Sequence, residues 1–254
     1  MRLIVTDDAQ SAAQTVADRI EATVRDKPRA VLGLACGRSS AAAYRELVRR
    51  HHACLDFSFR YATTFNLDEF VGVPPEDLRS SRYFMNQHLF GLIDIARENT
   101  HVMRGDCVDP LLETQAYDAL ITARGGLDLT ILGLGYNGHI GFNEPGATAK
   151  SRTRVSDVTP STVAALSGGS RFASIDEVPT QALTIGMAQI LASRAALMIV
   201  TGIGKADVVH RLLTTRRSSQ FPGTFLRDHA DFTLVVDADA ATKLTDEIRR
   251  DFAA

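Results

Sequence analysis

Leu127-Asp-Leu-Thr-Ile-Leu-Gly-Leu134 is an apolar run of strand length, and it leads into Gly135-Tyr-Asn-Gly-His-Ile-Gly-Phe-Asn-Glu-Pro-Gly146. A buried strand ending in a glycine-rich turn is a unit of α/β architecture, and functional groups concentrate on such strand-end loops. Glycine there lets the backbone adopt positive φ and approach a ligand closely. The turn carries Asn137, His139 and Glu144. A histidine and a carboxylate five residues apart on one loop can share a small substrate as proton shuttle and orienter.

The pattern repeats outward from this stretch. Strand-like runs fall at Arg2 to Thr6, Ala30 to Ala35, Tyr61 to Leu67, Ala195 to Thr201 and Phe232 to Val236. Helical periodicity places Ala13, Val16, Ala17, Ile20 and Val24 on one face, and predicts further helices over Ser39–Arg49, Ser80–Leu92, Pro110–Ala123, Ala182–Ala192, Lys205–Thr214 and Ala238–Asp251. Strands alternating with helices predict a Rossmann-like α/β fold, its sheet mostly parallel and covered by helices on both faces, in a single domain over residues 1–254. Ligands of such sheets sit beyond the carboxyl ends of the strands. Residues 143–180 are the least regular part, rich in Ser, Thr, Gly and Ala. With Gly168-Gly169 as a hinge, they predict a mobile lid at about 147–180.

The bulk properties exclude several classes. The formal charge of the 254 residues is -2 and basic side chains are dispersed, which argues against nucleic acid or an anionic membrane as partner. No run reaches transmembrane length and no signal-peptide core follows Met1. Cys36, Cys54 and Cys107 are odd in number and lack metal-binding spacing, as expected of thiols in a reducing cytoplasm. Neither a nucleophile elbow nor a metal cluster is present, which favours acid–base chemistry over covalent or metal-assisted hydrolysis.

Three further segments fall at predicted strand ends. Gly33-Leu-Ala-Cys-Gly-Arg-Ser-Ser40 leads from a strand through a glycine into a helix, so Gly37, Arg38, Ser39 and Ser40 can offer backbone N–H groups to a phosphate. An ordinary helix cap at Ser39 or Ser40 has the same appearance. Thr63-Thr-Phe-Asn-Leu-Asp-Glu-Phe70 ends in two acids: Asp68 is the candidate base, and Glu69 is expected to point away into a structural ion pair. Lys205 follows the strand and glycine turn Val200-Thr-Gly-Ile-Gly204. A cation at a helix start opposes the helix dipole unless an anion binds there. Arg171, in the expected lid, is a second cation that can close onto a phosphate. Together these residues point to a small phosphorylated polar substrate.

At these residues the chain resembles the glucosamine-6-phosphate deaminase family. The resemblance is carried by Thr64-Phe-Asn-Leu-Asp-Glu-Phe-Val-Gly-Val-Pro74, Ser81-Arg-Tyr-Phe-Met85, Gly138-His-Ile-Gly-Phe-Asn-Glu-Pro-Gly146, Ser151-Arg-Thr-Arg154 and Val178-Pro-Thr-Gln-Ala-Leu-Thr-Ile-Gly186, in family order. It implies conversion of glucosamine 6-phosphate and water to fructose 6-phosphate and ammonia, a hydrolase-type reaction with no metal or organic cofactor. In that scheme His139 opens the pyranose ring, and Glu144 and Asn137 hold and polarise it. Asp68 moves a proton from the nitrogen-bearing carbon to its neighbour through an enolamine. Arg171, Lys205 and the Gly37–Ser40 turn match phosphate ligands.

Related 6-phosphogluconolactonases share the glycine–histidine core but usually carry arginine where Phe70 stands here. A galactosamine 6-phosphate deaminase would differ in its substrate by one hydroxyl. A sugar-phosphate sensor would need a DNA-binding module, for which no room precedes the first strand at Arg2. Some family members have aspartate at Asn137, and Arg38 departs from the usual phosphate loop. Allosteric hexameric members bind N-acetylglucosamine 6-phosphate through Ser, Arg, Lys and Thr, where this chain has Ala147, Arg154, Ser156 and Asp157. The expectation is a monomer or small homo-oligomer without that control.

Overall fold

The computed structural model describes residues 1–54, 56–169 and 171–252. Ser170, inside the expected lid, and residues 253–254, at the end of the expected domain, lie outside them. The main sheet has seven strands, all parallel. They are β1 (Arg2–Thr6), β2 (Val31–Leu34), β3 (Thr63–Asn66), β5 (Thr100–His101), β6 (Leu129–Leu132), β9 (Ala195–Val200) and β10 (Phe232–Asp237), in the order β1-β10-β9-β6-β2-β3-β5.

Burial explains why the central strands are apolar without alternation. Along β9, Ala196, Met198 and Val200 join one hydrophobic cluster, and Ala195, Leu197 and Ile199 join another on the opposite face. Successive side chains of a strand point to opposite faces, so β9 has two dry sides. Helices α1 (Ala9–Asp26) and α2 (Arg38–Ala53) cover one side through Val16, Ile20, Tyr44 and Leu47. Helices α4 (Pro110–Ala123) and α7 (Ala206–Thr214) cover the other through Tyr117, Ile121, Val209 and Leu212. The result is the three-layer, mostly parallel α/β arrangement expected.

Chain order runs outward in both directions from the β2–β6 junction, through β3 and β5 on one side and β9 and β10 on the other, with β1, the first strand of the chain, added at the edge beyond β10. Crevices form where strand order reverses in this way. The Gly37 turn leaves β2 at this point and the Gly133–Gly146 loop leaves β6 beside it.

The sequence pattern gives no sign of a second, antiparallel sheet, which the structure contains. It consists of β4 (Asp68–Phe70), β8 (Gln181–Thr184) and β7 (Arg154–Asp157), in the order β4-β8-β7. The helix expected over Ala182–Ala192 is therefore wrong in its first half. Gln181–Thr184 pairs on both sides as a strand, and only Met187–Leu191 is helical (α6). Pairing with β4 and β7, remote in sequence, overrides the local pattern. The last expected helix shrinks to α8 (Asp246–Asp251), started by Thr245, whose Oγ1 accepts from Ile248 N at 3.3 Å. The stretch 147–180 contributes β7 and α5 (Pro160–Leu166), and it buries Phe172 against Phe70 at 5.1 Å between ring centroids.

Candidate active site

The Gly37–Ser40 turn forms one wall of a cleft of about 660 Å³, lined by Gly37, Arg38, Ser39, Ser40, Tyr136 and Lys205 among others. Gly37 caps α2, and the first helical bond is Ala41 N to Gly37 O at 2.9 Å. The N–H groups of Arg38, Ser39 and Ser40 consequently lack acceptors among the described residues, as first-turn donors do. Ser39 Oγ lies 2.8 Å from Thr201 Oγ1. The Ser40 hydroxyl is turned back onto the loop, 3.0 Å from Ala35 O and 2.9 Å from Gly37 O. Ser40 can therefore offer an anion its N–H rather than its hydroxyl.

Lys205 lies at the start of α7. Its Nζ donates to Leu134 O at 2.6 Å and sits 3.6 Å from the centre of the Tyr136 ring. No carboxylate pairs with it among the described residues. Burial, reinforced by the Arg38 charge, lowers its ammonium to about 8. A desolvated cation beside orphan N–H groups is stabilised by an incoming dianion.

The histidine loop is held by its own backbone: Gly135 N donates to His139 O at 3.0 Å and Gly138 N to Gly135 O at 2.9 Å. A Cβ at residue 135 would lie 2.2 Å from His139 Cε1, so glycine is required for the ring to fold over the turn. Glu144 is buried and accepts from Asn137 Nδ2 at 2.7 Å and from Thr159 Oγ1 at 3.0 Å. An ionised carboxylate only accepts, which orients the Asn137 amide with Oδ1 toward His139. Oδ1 is 2.8 Å from His139 Nδ1 and accepts from His139 N at 3.1 Å. The proton of neutral His139 is thereby placed on Nδ1, leaving the Nε2 lone pair to take a proton. Glu144 Oε2 is 3.5 Å from Nδ1. Burial pushes the Glu144 carboxyl up, but the hydrogen bond and charge of His139, with hydrogen bonds from Thr162 and Asn137, outweigh it and hold the group at about 2.

Asp68 begins β4 and is half-buried. Among the described residues none hydrogen-bonds its carboxylate. A Cβ at Gly141, two residues beyond His139, would lie 3.2 Å from Asp68 Oδ2, so the histidine loop passes directly against the acid. Burial raises the Asp68 carboxyl to about 7, the Arg171 charge opposing and the Glu69 charge adding to the rise. Such tuning suits a base working near neutral pH.

Glu69 does point the other way, but not into an ion pair. It is buried and accepts from Ser80 Oγ at 2.6 Å, Ser81 N at 2.9 Å and Arg82 N at 3.1 Å, anchoring the start of α3 (Ser81–His88). Those orphan helix N–H groups and the helix dipole take the place of a cation.

Arg171, within the stretch expected to form a lid, stands apart from the Gly37–Ser40 turn in this structure. It does not line the cleft with Lys205. Its Nη2 donates to Arg79 O, and its guanidinium lies 5.4 Å from the Phe70 ring centre and 5.9 Å from that of Phe172. Its Nε is buried without a hydrogen-bond partner. The structure thus brings Gly37, Arg38, Ser39, Ser40 and Lys205 around one cleft and joins Asn137, His139 and Glu144 in one network, while Arg171 stands with Asp68.

Sequence reasoning missed Thr159 and Thr162. Thr162 Oγ1 is 3.1 Å from His139 Nδ1, and both threonines bond to the Asn137–Glu144 pair from the start of α5. The Thr159-Pro160 dipeptide, a helix-start signature, was the available signal. Cys36, on the cleft wall, receives Asn66 Nδ2 at 3.2 Å. Burial pushes its thiol up, so it is no nucleophile.

A parallel sheet with a phosphate-type turn, a strand-end carboxylate and a Gly-His-Ile-Gly-Phe-Asn-Glu-Pro loop defines a class of sugar-phosphate enzyme. The chain belongs to the family described as glucosamine-6-phosphate isomerases/6-phosphogluconolactonase, whose model matches residues 6–235. It is 40% identical over 253 residues, all of both chains, to a glucosamine-6-phosphate deaminase of Geobacillus sp. (strain WCH70). A solved structure of a monomeric glucosamine-6-phosphate deaminase superposes with a TM-score of 0.92 at 37% identity, covering 96% of this chain and all of that one. A 6-phosphogluconolactonase from Trypanosoma cruzi shares the fold at a TM-score of 0.76 and 21% identity, covering 96% and 97% of the two chains. Among the described residues no helix is long and apolar enough to cross a membrane.

Proposed function

We propose that the chain converts glucosamine 6-phosphate and water to fructose 6-phosphate and ammonia. The observation that carries this is Asp68: a carboxylate without a hydrogen-bond donor among the described residues, raised by burial to about 7, against a loop whose histidine is already oriented. Full-length relatives of 40% identity named for this activity support the substrate. The isomerase in the family description fits the central proton transfer better than the hydrolase label, because water enters only after the double bond has moved to the nitrogen-bearing carbon as an imine.

In the first step His139 Nε2 relays a proton from the anomeric hydroxyl to the ring oxygen, and the ring opens to the aldehyde. Glu144 stabilises the transient imidazolium through charge, and the Asn137 amide holds the ring in register. Asp68 then takes the proton from the nitrogen-bearing carbon while the aldehyde oxygen takes one from the substrate's own ammonium, giving an enolamine, and Asp68 returns its proton to the neighbouring carbon, leaving a protonated imine. Water adds to the resulting imine and ammonia leaves. The Gly37–Ser40 N–H groups, Arg38 and Lys205 hold the phosphate. Arg171 remains a candidate phosphate ligand only if it releases Arg79 O, and a closing motion of residues 147–180 would supply that change.

The same reading makes the enzyme a cytoplasmic monomer or small homo-oligomer without N-acetylglucosamine 6-phosphate control. Arg154, the one allosteric-type side chain retained, is turned inward to Asn143 Oδ1 at 2.9 Å. Asp157, which accepts from Gln181 Nε2 at 3.0 Å, would repel a phosphate. The test is ammonia release from purified protein with glucosamine 6-phosphate and galactosamine 6-phosphate in parallel, each with and without the acetylated sugar phosphate. Faster release from the first, hyperbolic in substrate and indifferent to the effector, is expected. Faster release from the second keeps the mechanism and moves the substrate; none from either sinks the assignment.

A further inference from the structure

A second cavity, of about 320 Å³, opens at the opposite end of the main sheet. Its wall includes Arg29, Tyr61, Thr63, Asn99 and Arg124. Thr63 begins β3 and Val31, also in the wall, begins β2. The carboxyl ends of these same strands, roughly 10 Å further along, carry the phosphate turn and Asp68. The cavity is therefore separate from the site described above.

The two arginines in this wall meet no carboxylate among the described residues. Arg29 lies over the Tyr61 ring, 5.4 Å from its centre, and Arg124 Nη1 donates to Thr63 Oγ1 at 3.0 Å. Acids are not scarce, since the chain has 30 acidic against 28 basic residues. Asp128 bonds to Val31 N at 2.8 Å, but it is already held by Lys27 Nζ at 2.8 Å and Arg194 Nε at 3.0 Å, and it does not line the cavity. The C-terminus of α4 attracts one cation, Arg124. It does not account for Arg29 or for a cavity between the two. Burial, followed by the charges of Arg124 and Arg82, lowers the His101 imidazole close by, consistent with a positive field at this end of the sheet.

We infer that this cavity is an anion site for a small phosphate monoester. Two guanidinium forks supply charge-assisted donors, and the Tyr61 hydroxyl and Asn99 amide supply neutral ones. The volume, about 320 Å³, is near the low end for ligand pockets and suits a sugar- or polyol-sized phosphate. The inference does not depend on the activity proposed for the other end of the sheet.

Amide NMR of the native chain, titrated separately with inorganic phosphate and with glycerol phosphate, tests it. Two independent sets of shifts are expected, one at Gly37–Ser40 and one at Thr63, Asn99 and Arg124, with the second set responding to glycerol phosphate at lower concentration than to inorganic phosphate. The exposed pair R29Q/R124Q should raise the apparent Kd of the second set at least about tenfold and leave the first set unchanged. Failure of the second set to move overturns the site. Equal movement in R29Q/R124Q does the same, and a preference for inorganic phosphate overturns the monoester assignment. Failure of the proposed activity would appear instead in the first set and in the ammonia assay.

Discussion

Asp68→Asn should trade activity for stability, and only above a certain pH. The unfolded chain ionises this carboxyl near 3.8 and the folded chain near about 7, because burial disfavours the charge. At about pH 3 and below both states hold the proton, and the wild type and the neutral variant are equally stable. As pH rises through 3.8 towards about 7 the unfolded state releases its proton first, so the wild type loses stability that the asparagine variant keeps. Each pH unit between the two values corresponds to about 1.4 kcal/mol, which sets an upper bound of about 4 kcal/mol at pH 8. The residue is only half-buried, so solvent screens part of it, and about 2–4 kcal/mol is expected, or roughly 5–10 °C in Tm for a chain of this size. Urea melts at about pH 3 and pH 8 measure the difference, and ammonia release measures turnover, which should fall at least about 10²- to 10⁴-fold. A gain of equal size at both pH values would mean better packing rather than a relieved charge. No gain at pH 8, or retained turnover, would refute the reading of Asp68 as a desolvated base.

Four other outcomes follow from the same geometry. His139→Gln should slow the ring-closed substrate about 10²-fold or more and an open-chain analogue much less; equal losses would remove its ring-opening role. Gly135→Ala places a Cβ 2.2 Å from the His139 ring, so activity should drop while circular dichroism stays native; undiminished activity would show that the ring need not sit over the turn. The kcat/KM profile should rise through about 7 as Asp68 ionises and fall near 8 as Lys205 loses its proton. Lys205→Met should raise KM and abolish the upper limb, and a limb that persists belongs to another group.

Much of this molecule can be read along the chain. The β6 run and the His139 loop, the β2 run and the Gly37 turn, and the apolar face of α1 are local signals: hydrophobic period, glycine and helix-start residues act within a few positions of themselves. So do Asp68, His139 and Glu144 as residue types at strand ends. What the chain order concealed is pairing at a distance. Gln181–Thr184 has no intrinsic preference strong enough to choose strand over helix, and it becomes β8 only because β4 and β7 flank it. Thr159 and Thr162 reach the Asn137–Glu144 pair only when that small sheet folds α5 back over the loop. Arg171 is drawn to the Phe70 and Phe172 rings and to Arg79 O rather than to the Lys205 cleft. The shift of Asp68 belongs to the same category. A carboxylate's identity is local, but its proton affinity depends on how much water the rest of the fold leaves around it.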